Sequence, residues 1–134
     1  MDKENNVKNL QVLSNALSRI VSHRFIIHTS ESEWGGSVLV MEKSGKAFAR
    51  TYWFSDDSST IYFDWLSVDE SERGNGIATE LLNNHIQIAK DLKAETMLWV
   101  KQDTWMHEWY KRKGYKDYKT YEKESNAMWL NMLP

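Results

Sequence analysis

Between residues 7 and 22 the apolar positions Val7, Leu10, Leu13, Ala16, Leu17, Ile20 and Val21 recur at helical spacing and predict an amphipathic helix. The pattern then changes to runs rich in β-branched and aromatic residues. Gly36 to Glu42, Lys46 to Phe54 and Thr60 to Val68 predict three strands. Ser44-Gly45 separates the first two and the polar stretch Ser55-Asp-Asp-Ser-Ser59 the last two, so they read as an antiparallel meander. An earlier strand is expected over Arg24 to Thr29, around Phe25-Ile26-Ile27. In the run from Thr60 to Val68, strict alternation puts Tyr62, Asp64, Leu66 and Val68 on one face.

Helical spacing returns from Asn75 to Lys93, where Ile77, Ala78, Leu81, Leu82, Ile86, Ala89 and Leu92 form an apolar side. A short strand from Thr96 to Val100 follows. A further helix, Thr104 to Lys113, stops at Gly114, a residue suited to the left-handed conformation that ends helices. Trp105 and Trp109, at i and i+4, are expected to anchor that helix. Tyr115 to Tyr118 and Ala127 to Met132 read as closing strands. The order predicts an α/β fold, a mixed sheet with helices packed on it. The chain has no repeat or Pro-rich linker, and its one proline is Pro134, so residues 1–134 read as a single domain.

Composition adds mainly exclusions. A chain of 134 residues buries a sizeable core without disulfides. The absence of cysteine excludes disulfides, thiolate nucleophiles and thiolate metal sites. The histidines, at 23, 28, 85 and 107, show no pair at ligand spacing joined to a third ligand, so no metal is expected. A net charge of -2 gives no general reason to bind nucleic acid or an anionic membrane, and Lys111-Arg112-Lys113 reads as a solvated helix end. The polar start MDKENNVKNL and the lack of a long apolar run lead to the expectation of a cytoplasmic protein.

The candidate chemistry lies in Ser71-Glu-Arg-Gly-Asn-Gly-Ile-Ala-Thr-Glu-Leu-Leu82, which sets Arg73, Gly74 and Gly76 at the start of the second predicted helix. A helix N-terminus leaves backbone N–H groups unpaired and carries positive dipole character, so it suits an oxyanion such as phosphate. Glycine lets the backbone approach a diphosphate, and arginine adds charge-assisted hydrogen bonds. A P-loop is excluded because no G-x-x-x-x-G-K-S/T run exists. The dinucleotide fingerprint is excluded because Thr79 stands where a third small residue belongs. Taken alone, the run also suits a plain strand-to-helix turn.

In its context, Arg73-Gly-Asn-Gly-Ile-Ala78 resembles the Q/R-x-x-G-x-G/A signature of the GNAT superfamily of acyl-CoA N-acyltransferases. The preceding Leu66-Ser-Val68 and the acidic Asp69-Glu-Ser-Glu72 resemble the remainder of that run. Trp109-Tyr-Lys-Arg-Lys-Gly-Tyr115 resembles the family's second signature, L/F-Y-e-k-x-G-F/Y, and the likeness extends from Thr60 to Tyr118.

The resemblance implies a mostly antiparallel central sheet with flanking helices and one splayed parallel strand pair, Thr60 to Val68 and Thr96 to Gln102. It implies acetyl-CoA in that wedge, with the backbone of Leu66, Ser67 and Val68 pairing with the pantetheine amides. Arg73, Gly74, Asn75, Gly76, Ile77, Ala78 and Thr79 would hold the pyrophosphate. Tyr110 would donate a proton to the departing thiolate, and Asp64 would be the base, acting through water, with Glu33 and Glu70 as weaker candidates. Where many members have an asparagine this chain has Asp103, whose charge would repel phosphate; it is expected to cap the helix that follows. The implied activity is acetyl transfer from acetyl-CoA to a primary amine by direct attack, which suits a chain without cysteine. A non-catalytic acyl-CoA-binding or protein-interaction module with the same fold is the alternative. Trp34-Gly-Gly36 is expected to form a mobile loop on the acceptor side, and the excess of acidic residues favours a cationic acceptor. A homodimer is expected through Ala127 to Met132, taken as an apolar edge strand.

Overall fold

The computed structural model describes residues 3–121 and 126–134, with side chains from residue 11 onward apart from Ser58; the side chains of Val7 and Leu10 lie outside the described ones. The helices are α1 (Lys3–Ile20), α2 (Ile77–Leu92) and α3 (Trp105–Arg112). The strands are β1 (Phe25–Ser32), β2 (Gly35–Glu42), β3 (Ala47–Phe54), β4 (Asp57–Val68), β5 (Glu95–Lys101), β6 (Lys116–Thr120) and β7 (Ala127–Met132). They form one sheet in the order β1-β2-β3-β4-β5-β7-β6. Every neighbouring pair is antiparallel except β4–β5. This is the mixed, mostly antiparallel sheet with flanking helices that the sequence implies.

The core lies on one face of that sheet. On β3, Ala47, Ala49, Thr51 and Trp53 are buried while Phe48, Arg50, Tyr52 and Phe54 point the other way. Leu13 and Leu17 of α1 and Leu82 and Ile88 of α2 pack against the buried set, each burial stabilising by about 1.5–3 kcal/mol. The apolar stripe of α2 departs from expectation at its second half, where His85 and Ile88 are buried and Leu92 is exposed.

His85 joins three elements beneath the sheet. Its Nδ1 is 2.7 Å from Thr51 Oγ1 on β3, and its Nε2 is 2.6 Å from Thr96 Oγ1 on β5. Thr96 Oγ1 is in turn 2.9 Å from the Tyr115 hydroxyl. Burial lowers the His85 pKa to about 3, so the ring is neutral in the folded protein. The unfolded chain takes up that proton below its ordinary ~6.5. The stabilisation is therefore complete above pH ~6.5 and is lost as pH falls toward the folded value, at up to ~1.4 kcal/mol per unit. Urea denaturation at a series of pH values from 7 to 4.5 is expected to show this slope, and His85→Gln should flatten it. Parallel curves for the two proteins would rule out His85 as the titrating group.

Several expectations are corrected by packing. Gly35 and Gly36 are strand residues of β2 and form no mobile loop. A Cβ on Gly35 would stand 1.9 Å from the Trp53 carbonyl oxygen, and one on Gly36 would stand 2.4 Å from the Trp53 ring. The glycines are there so that Trp53 can lie against β2, and the turn itself is Glu33-Trp34. The polar loop after β3 is also shorter than expected, because Phe54 already pairs with Asp57.

Asp103 does not cap α3. Its backbone is left-handed, at φ 61, and its N–H donates to His107 Nδ1 at 3.1 Å. The cap is Thr104, whose extended backbone lets Oγ1 accept from the His107 N–H at 3.2 Å. Thr104→Ala is expected to cost about 1 kcal/mol in a denaturant titration and Asp103→Asn much less; equal losses would contradict this capping arrangement. Trp105 does not anchor the helix either, being 71% exposed.

The last strand is not an edge. β7 pairs with β5 on one side and β6 on the other, so its backbone groups are already taken and it offers no ladder to a second subunit. The edges are β1 and β6.

Candidate active site

The site begins with an irregularity in β4. Phe48 pairs with Ser67 and Arg50 with Asp64, so β4 advances three residues while β3 advances two. The extra residue is a β-bulge at Trp65, whose φ is 56. It breaks the alternation expected for this strand. Val68 pairs with Ala47 and Asp64 with Arg50, and those partners lie on opposite faces of β3. Asp64 therefore shares a face with Tyr62 but not with Leu66 and Val68. A bulge inverts the facing of everything beyond it, and strict alternation cannot anticipate one.

At the same level β4 leaves its parallel neighbour. Pairing between β4 and β5 comprises Thr60–Glu95, Ile61–Thr96 and Tyr62–Met97 and goes no further among the described residues. Beyond it β4 stays with β3 as far as Val68, while β5 stays with β7 as far as Lys101. The strands part, and the backbone of β4 from Asp64 onward faces a gap.

A cavity of about 520 Å³ opens there. The structure brings Leu66, Ser67, Val68, Arg73, Gly74, Gly76, Ile77, Ala78 and Thr79 together along one wall. Asn75 does not line it; its Nδ2 donates to the Glu72 carbonyl at 3.4 Å. The opposite wall comes from α3, with Trp105, Met106 and Trp109. These three were not anticipated. Their signal in the sequence is the apolar i, i+1, i+4 set on α3, which reads equally as core.

The loop entering α2 is shaped for an anion. Gly74 and Gly76 adopt φ values of 87 and 75, which L side chains rarely tolerate, and no atom lies within 4 Å of where a Cβ would be. The first intrahelical bond runs from the Glu80 N–H to the Gly76 carbonyl, so the N–H groups of Ile77, Ala78 and Thr79 have no intrahelical acceptor. Arg73 donates from Nε to the Val68 carbonyl at 3.1 Å, which fixes the guanidinium beside the cavity mouth. Glu72 also lines the cavity, and its charge opposes an anion there.

Tyr110 does not line the cavity; it is buried in the core behind the α3 wall, 6% exposed, with its ring against Trp109, which does line it, and against Tyr115 and Phe63. Burial, followed by Tyr115 and the charge of Asp64, pushes its phenol well above the ordinary value, so it stays protonated at neutral pH. Asp64 is on the other face, gripped by Arg50 through Nε at 2.7 Å and Nη2 at 2.6 Å. One lone pair on each carboxylate oxygen is thereby used and others remain to accept. The weaker base candidates are not drawn in: Glu33 sits in the β1–β2 turn and Glu70 in an exposed 3-10 turn, Glu70–Glu72.

With this geometry in place the comparisons are informative. The acetyltransferase (GNAT) domain family matches residues 34–117, which contain the gap, the glycine loop and α3. The chain belongs to the GNAT acetyltransferase family. No curated protein matches it significantly. Solved GNAT folds do. An acetyltransferase from Bacillus cereus superposes at TM-score 0.57 with 21% identity, over 96% of this chain and 89% of that one. A GNAT family acetyltransferase from Elizabethkingia anophelis with acetyl-CoA bound gives 0.59 at 15% identity, over 84% and 100%. The PaiA N-acetyltransferase of Thermoplasma acidophilum in complex with coenzyme A gives 0.58 at 16% identity, over 73% and 60%. At these identities the shared property is the GNAT fold. Among the described residues of this GNAT domain, no group of His, Asp and Glu converges as a metal site, and no helix is long and apolar enough to cross a membrane.

Proposed function

We propose that the chain transfers the acetyl group of acetyl-CoA to a primary amine by direct attack in a ternary complex. The observation that carries this reading is the cavity at the parting of β4 and β5, closed by the glycine loop and the first turn of α2. Acetyl-CoA and CoA bound to relatives of the same fold support it.

The diphosphate would lie against the N–H groups of Ile77, Ala78 and Thr79 with the Arg73 guanidinium beside it. The pantetheine would run along Leu66, Ser67 and Val68, adding to the free edge of β4 as a strand does. The thioester then reaches the gap between Tyr110 and Asp64.

An alkylammonium, of pKa ~10.4, must lose a proton before it can attack. We assign Asp64 to receive that proton, through water, and pass it to solvent. The nitrogen bonds to the acetyl carbonyl carbon and gives up its second proton to solvent, the carbon–sulfur bond breaks, and the thiolate takes the Tyr110 hydroxyl proton, which solvent later restores. The net change is ammonium plus acetyl-CoA to amide, CoA thiol and one released proton.

The test is calorimetric titration with acetyl-CoA, CoA and ATP. Micromolar binding of both CoA species with much weaker ATP is the expected result. Failure of both CoA species to bind would overturn the reading and leave a GNAT fold without its cofactor.

A further inference from the structure

All the burial described above is on one face of the sheet. The other carries a continuous set of rings. Tyr52 and Tyr62 stack at 4.9 Å, and Phe54 meets both edge-on at 5.7 and 5.3 Å. Tyr62 meets Trp129 at 6.1 Å, and Tyr121 packs edge-on to Trp129 and flat on Trp99, both at 5.3 Å. The platform's ends are open to solvent, Phe54 at 40% and Trp99 at 41% exposed, while Tyr52, Tyr62, Tyr121 and Trp129 between them are half-buried; on β5 the burial pattern alternates so that Trp99 lies opposite the core. Exposed apolar area of this kind costs about 25 cal/mol per Å² relative to burial, so its concentration on one face is a sign of a ligand.

Where the platform sits decides which ligand. Tyr62 belongs to the last β4–β5 pair before the strands part, and Asp64 is the next residue on the same face. A molecule lying on the rings would thus present one end at the opening, beside a carboxylate. The carboxylate is not bare: the Arg50 guanidinium that grips it also lies over the Trp65 ring at 3.8 Å and the Tyr52 ring at 4.8 Å, which leaves the spare lone pairs of Asp64 and the rings of Tyr62, Phe54 and Trp129 to meet a ligand. Burial, followed by the charge of Asp64, raises the Tyr52 phenol to about 12, which keeps it a neutral hydrogen-bond donor. At the far end Glu95 accepts from Asn131 Nδ2 at 2.8 Å and Asp57 accepts from Ser59, both neutral donors, and Asp56 is exposed. One carboxylate at the opening and rings beyond it suit a ligand with one charged end and a flat apolar body.

We infer that this ring platform is the acceptor subsite, and that the acceptor is a primary amine carried on an aromatic body, of the arylalkylamine class. The inference rests on the acetyltransferase reading. The amine nitrogen lies against a spare lone pair of Asp64, beside its pair with Arg50, while the aromatic body stacks along Tyr62, Phe54 and Trp129. Deprotonated, the amine nitrogen reaches the thioester from the face opposite Tyr110.

The experiment is CoA thiol release at saturating acetyl-CoA with tryptamine and 2-phenylethylamine, set beside hexylamine and spermidine. The aromatic amines are expected to exceed both others by roughly tenfold or more in kcat/KM. Tyr62→Leu and, as a variant at a more exposed position, Phe54→Ala should each raise KM for tryptamine severalfold while leaving hexylamine KM and acetyl-CoA affinity unchanged. Equal or greater turnover of hexylamine or spermidine overturns the proposal, as does a loss in the variants that is the same for every amine. Acetyl-CoA binding with no acetylation of either aromatic amine also overturns it and leaves the cofactor reading standing. Absence of acetyl-CoA binding is the separate result that removes the acetyltransferase reading itself.

Discussion

Tyr110→Phe is expected to lower kcat by roughly 10²–10⁴-fold, the usual weight of a positioned general acid, with acetyl-CoA affinity changed by less than about twofold. The substitution removes one oxygen and keeps the ring that packs on Trp109, Tyr115 and Phe63. Among the described residues the Tyr110 hydroxyl has no hydrogen-bond partner, so its loss should cost the fold little and the defect should be in the chemical step. Two measurements separate this from misfolding. Acetyl-CoA titration and thermal melting should match the parent, while thiol release fails. Acetyl donors built on more acidic thiols should recover part of the rate, because a better leaving group depends less on a proton donor. An unchanged kcat would remove Tyr110 from the mechanism.

Gly76→Val is expected to weaken acetyl-CoA binding by roughly 100-fold or more. The estimate follows from losing two or more hydrogen bonds to a charged diphosphate, at ~1.5–3 kcal/mol each. Gly76 has φ 75 and opens the first turn of α2, so a β-branched residue there both strains the loop and puts methyl groups where the phosphates would lie. The strain alone is about 1–2 kcal/mol. Gly45 supplies the control. It has φ 79, with nothing within 4 Å of its Cβ position, and it does not line the cavity. Gly45→Val should therefore match Gly76→Val in lost stability and leave acetyl-CoA affinity intact. If the two variants bind alike, the diphosphate lies elsewhere.

Much of the fold and part of the site can be read from local pattern. Three helices and most of the strands announce themselves by period, because a helix face and a strand face are built from neighbours in the chain. The glycine loop is legible for the same reason: positive φ, the first helical turn and Arg73 all lie within a few residues. The expectations that failed turn on how a partner is oriented, which period alone does not give. Gly35 and Gly36 look like loop residues until Trp53 is laid against them. Asp103 looks like a cap until His107 turns its ring to accept from it. Ala127 to Met132 looks like an edge until β6 closes over it.

The sequence by itself determined most of the elements and the glycine loop at the start of α2, since these depend on backbone conformation and spacing within short windows. Tertiary structure alone decided the facing of Asp64, the parting of β4 and β5, the α3 wall of the cavity and the ring platform. Those follow from one extra residue at Trp65 and from the register between strands, and register is an energy of whole faces packed together that no single segment carries.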